Sequence, residues 1–221
     1  IRTPAWIAVA IAAVMTPVAL ASRAGSALFW FRYVAGDDGQ PIFFFLDRIG
    51  LFYTAFALGQ LAGVLTAAMM MKRFDKAHLI IAAGVIEIAA IAVFHLLPLD
   101  AIWPQTAAQV FVGVGLGMMM VLAYSMFTDI AEYIEWSTGR QMTGLAVSGA
   151  VFAIKTGVAI GAALPGLLFA ATGFEAGAVQ TESARFGIDL AFAIVPAAII
   201  VPAGVVMVFY KLDRKTIAQF E

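Results

Sequence analysis

Six apolar stretches of spanning length, separated by short segments that hold most of the charge, constrain this chain more than any single motif does. They fall at about 4–34, 47–71, 77–97, 103–128, 143–171 and 185–210. A hydrocarbon core about 30 Å thick is crossed by roughly 20 apolar residues in helical form. Lipid offers no partner for unpaired backbone N–H and C=O groups, so such a stretch crosses as a helix. With 63% hydrophobic and 12% charged residues and a mean hydropathy of +0.97, too little polar surface remains for a domain that faces water on all sides. The expected fold class is an all-α membrane protein of six transmembrane helices, with the lipid bilayer as its first partner.

Charge and cysteine usage narrow the function classes. A formal net charge of -1 with no basic tract gives no reason to expect nucleic acid as a partner. Without cysteine there is neither a disulfide framework nor a thiolate metal site, and His78 and His95 cannot build a metal site alone. No metal or cofactor is expected. The spans hold no paired histidines and no nucleophile with a nearby base, which argues against an enzyme. The chain opens without an initiator Met or a signal peptide and turns apolar just after Arg2, as a fragment would.

Alternate connections differ in basic content. One set holds Arg2, Lys72, Arg73, Lys76, Arg140, Lys211, Arg214 and Lys215, and the other holds Arg32, Arg48 and Arg185. Cytoplasmic loops carry the excess of Lys and Arg, which places both termini in the cytoplasm.

Within the spans, ionisable residues are the costly ones. Lys155 lies roughly 18 Å along the fifth span counted from Thr143, near mid-membrane, where a lysine is a functional candidate by default. Glu87 sits about ten residues into the third span; it is either a proton-carrying carboxylate or a neutral group hydrogen-bonded to a neighbouring helix. In the first span Pro17 predicts a kink. Arg23 and Trp30 follow on one face, where they either grip and stack on a polar ligand or belong to the interfacial snorkelling and aromatic belt. Acids in the 35–47 loop read as a solvated turn. Small-xxx-small pairs at Gly59 and Gly63, Gly113 and Gly117, and Gly157 and Gly161 predict close helix contacts, with Gln60 as either an interhelical hydrogen bonder or a pore residue. Met118, Met119 and Met120 read as adaptable packing. Tyr124 then leads to a charged patch in which Asp129, Glu132 and Glu135 follow at helical spacing with Arg140 beyond. The patch is either a solvated helix end or a salt-bridged cytoplasmic gate.

Asp129, Glu132, Tyr133, Glu135, Trp136, Gly139, Arg140, Gly144, Ser148, Phe152, Lys155, Gly157, Ala159, Gly161, Gly166 and Gly173 together form a specific pattern. It resembles that of the glycoside-pentoside-hexuronide:cation symporters, the family of the melibiose permease within the major facilitator superfamily. The resemblance implies the C-terminal half of a twelve-helix transporter, with an N-terminal six-helix domain as the missing partner. It also implies a sugar or glycoside carried with Na+ or H+ by alternating access in the inner membrane. Lys155 then falls in the substrate and cation region with Ser148, Phe152 and Thr156 beside it; Arg23, Trp30 and Tyr124 are the other candidates there. A lysolipid or another organic solute is the alternative cargo, and a channel or regulatory module the alternative class.

Overall fold

The computed structural model describes residues 4–139, 141 and 143–210, and the fold is all-helical as expected. Five long helices come first: α1 (Pro4–Tyr33), α2 (Arg48–Met70), α3 (Lys76–Leu96), α4 (Ile102–Thr138) and α5 (Thr143–Thr172). The sixth span is composite, with α6 (Glu182–Asp189), a π turn (Leu190–Ile194), α7 (Val195–Val205) and a closing 3-10 turn (Val206–Phe209). All six are long and apolar enough to cross a bilayer.

The fourth helix corrects one boundary. Reading apolarity alone ends that span at Thr128, whereas the helix continues to Thr138. Nothing between the two breaks a helix; the stop is Gly139, whose φ of 68° is the left-handed conformation that commonly closes a helix and that glycine adopts without strain. The acidic patch is therefore a continuation of the membrane helix, held in register with it.

Packing pairs helices across the middle of the chain. α2 lies along α4, α5 along α1, α3 along the opposite flank of α4, and the sixth span along α1. Exchanging helices one to three with helices four to six reproduces the same pairs, which is the pattern of two interleaved three-helix repeats. Glycines permit it. A Cβ on Gly59 or Gly63 would come closer than 3.0 Å to the carbonyl oxygens of Val110 or Val114 on α4; one on Gly113 or Gly117 would do the same to Phe56 or Gln60 on α2. Gly157 and Gly161 meet Val14 and Val18 of α1 in the same way. All three glycine pairs are thus backbone contacts, as membrane helices need when van der Waals packing is the main attraction. Gln60 bonds across to Met120 Sδ at 3.5 Å, and Met118 and Met119 are buried in packing roles.

Candidate functional site

The sequence-predicted residues separate into two places. On α5, Ala146, Ala150, Ala153, Gly157 and Gly161 form the buried stripe toward α1. Ser148, Phe152 and Lys155 recur at spacings of four and three, so they share the opposite stripe, and all three are exposed. Phe152 is 72% exposed. Thr156 is half-buried beside them. The Ser148 hydroxyl satisfies itself on the Leu145 carbonyl at 3.0 Å, whereas Lys155 makes no ion pair among the described residues. Tyr124 of α4 is 44% exposed, and with Thr16, Pro17 and Ile154 it lines a cavity of about 10 Å³ where α1, α4 and α5 converge. An ammonium near mid-depth on an open helix face is costly against lipid.

Arg23 and Trp30 lie inside the bundle, only 4% and 1% exposed, so neither the snorkelling nor the belt reading describes them. The break in the sixth span explains how an arginine is tolerated there. Pro196 has no N–H to give to the carbonyl four residues back, at Phe192. The π turn re-routes the Val195 N–H to Leu190, which leaves the Ala191 carbonyl without its α-helical partner. Both freed carbonyls are taken by α1: Arg23 Nη1 donates to Phe192 O at 2.8 Å, and Ser22 Oγ to Ala191 O at 2.9 Å. Arg23 Nη2 donates to Gln109 Oε1 of α4 at 2.9 Å. The ring faces of Phe192, Phe94 and Phe52 lie 4.2, 5.1 and 5.5 Å from its guanidinium carbon, adding cation–π attraction. Trp30 stacks on Phe192 at 4.8 Å and donates its indole N–H to Asp189 at 2.8 Å. The residues around Arg23 therefore fasten α1, α4 and the sixth span into one body.

A cavity of about 50 Å³ adjoins this cluster, lined among others by Arg23, Glu87, Gln109, Tyr53 and Pro196. Glu87 of α3 is 3% exposed, and its Oε2 has no hydrogen-bond partner among the described residues. Sequence reading named Arg23 and Glu87 separately and missed that they meet. A signal was present: at 1.5 Å per residue, Arg23 lies about 15 Å before the end of α1 and Glu87 about 14 Å before the end of α3, so both reach the same depth. Gln109 and the re-routed carbonyls carry no comparable mark in the sequence.

At the opposite end of the bundle, Lys76 at the start of α3 grips both carboxylate oxygens of Asp129 at 2.7 and 2.6 Å. Glu132 is exposed and Glu135 half-buried on the same helix. Arg140 lies outside the described residues. Tyr210 closes this end, and burial, with Asp129 adding to it, pushes its hydroxyl above the ordinary tyrosine range.

Six membrane helices in two interleaved threes, fastened internally and left open along one charged face, are the build of one half of a major facilitator transporter. A family profile for MFS/sugar transport proteins matches residues 1–214, and the chain belongs to that family, whose members are transporters and not enzymes. It is 27% identical, over 86% of its length, to the glucuronide carrier protein homolog of Escherichia coli (strain K12), and 25% identical, over 87%, to the inner membrane symporter YicJ of the same organism. It covers 40% of each of those two proteins. Half of the chain is also 30% identical to the isoprimeverose transporter of Lactiplantibacillus pentosus, covering 23% of that protein. The resemblance expected from the sequence holds, and the chain is a multi-pass membrane protein.

Proposed function

We propose that this chain is the C-terminal six-helix domain of a twelve-helix symporter that carries a sugar or glycoside with Na+ or H+ by alternating access. The observation that carries the reading is the stripe of Ser148, Phe152 and Lys155 near mid-depth on α5, exposed while the opposite stripe is packed against α1. A second six-helix domain laid on that face would enclose the substrate between halves, where such transporters bind it. Acids on that domain would pair with Lys155, since an unpaired buried ammonium costs several kcal/mol. A coupling cation would then compete with the ammonium for the same acids, which links cation binding to conformation. Tyr124 and Thr156 border the site. Asp129, Glu132, Glu135 and Arg140 would form the cytoplasmic gate, with both termini on that side of an inner membrane. The similarity to a glucuronide carrier protein homolog and to an isoprimeverose transporter supports a glycoside as cargo. The test is counterflow in vesicles carrying the full-length transporter. Exchange of radiolabelled glycosides is expected, and exchange of lysolipids alone would replace the cargo assigned here.

A further inference from the structure

We propose that Glu87, together with the cavity it shares with Arg23 and Gln109, is a proton-binding site inside the six-helix bundle, separate from the Lys155 face. Three observations meet there. The Glu87 carboxyl group is buried, and its Oε2 receives no hydrogen bond, so a permanent carboxylate would leave a full acceptor unmet in an apolar surround. Arg23 makes no direct ion pair with it: its two terminal nitrogens go to Phe192 O and Gln109, and its Nε, also buried, has no partner. The cavity lined by these side chains measures about 50 Å³, above the about 10–15 Å³ that one water needs, so there is room for water beside the carboxyl group.

The arrangement suits a group that changes protonation better than one that never does. A structural ion pair would close the gap and match donors to acceptors; here the two side chains line one cavity without a hydrogen bond or ion pair between them. Tyr53, 40% exposed, also lines the cavity, and its hydroxyl is held on the Ala24 carbonyl at 2.8 Å. It stands at the exposed edge of the cavity between α1 and α2. A hydronium arriving there would give its proton to Oε2, forming the carboxylic O–H and leaving water behind. The elements packed around Glu87 present few other titratable groups. Arg23 comes from α1 and Tyr53 from α2; α4 presents the neutral Gln109, and the sixth span presents Pro196 at the cavity wall. No second carboxylate lines the cavity among the described residues, so the proton has one acceptor there.

Infrared difference spectroscopy on this chain in lipid nanodiscs, titrated across roughly pH 5 to 9, tests the assignment without a transport assay. The expected result is a carboxylic-acid carbonyl band that appears on acidification, is lost in Glu87→Gln and returns at a displaced frequency in Glu87→Asp. The Asp variant decides the matter if the Gln variant does not fold. A band that persists unaltered in both variants, or no acid band at any pH, would overturn the proposal. Because the readout is a bond vibration, its failure leaves the transport reading standing, and failed transport leaves this site standing.

Discussion

Arg23 and Lys155 are two cations of one small membrane bundle, and they are treated in opposite ways. Arg23 is enclosed: two carbonyl-type acceptors and three aromatic faces come to it from α2, α3, α4 and the sixth span, and a proline releases one of those acceptors. Lys155 is displayed on a stripe that the bundle leaves open. Arg23 ties the helices of this half to one another, and Lys155 makes no ion pair within it among the described residues. A charge whose terminal donors are met inside the bundle marks structure, and one displayed on an open face at the same class of depth marks an interface or a site.

Substitutions can break this contrast. In full-length transporter, Lys155→Ala should lower cation-driven accumulation by about 100-fold or more, the scale of removing one partner of a buried charge pair, while membrane insertion is kept. In this chain alone the order reverses. Arg23→Gln should cost about 3–5 kcal/mol, read as a large fall in melting temperature in detergent, whereas Lys155→Gln should stay within about 0.5 kcal/mol. Equal losses for the two variants would erase the distinction.

Smaller effects sharpen it. Gly117→Val puts a branched side chain against the α2 backbone and should destabilise by about 1–3 kcal/mol, while Gly166→Ala, where a Cβ meets open space, should leave the melting curve unmoved. Asp129→Asn removes a charge-assisted pair with Lys76 and should cost about 1.5–3 kcal/mol. The smallest expected effect is kinetic: Arg140→Gln in the full-length transporter should change turnover by a few-fold with less change in substrate affinity, because a gate acts on the balance between conformations. Affinity loss with unchanged turnover would place Arg140 at the cargo instead.

The spans and the glycine contacts were legible because each rests on local chemistry: apolar length and small-residue spacing. The end of α4 was misplaced because hydropathy fades before helix propensity does, and Gly139 rather than Thr128 carries the stop. The burial of Arg23 was not legible. Its acceptors lie 86 and 169 residues away along the chain, and one of them exists only because Pro196 fails to bond it. The belt reading of Trp30, one of the two left open, fails for the same reason, since an indole near a helix end looks interfacial until Asp189 and Phe192 are seen beside it.

The central claim is that the Lys155 face is half of a transport site. Reconstitution of this chain in proteoliposomes, alone and joined to the six-helix N-terminal domain of its transporter, tests it most directly with radiolabelled glycoside under an imposed Na+ or H+ gradient. The account predicts accumulation by the joined protein and none above background by the chain alone. Equal accumulation by the isolated chain would contradict it.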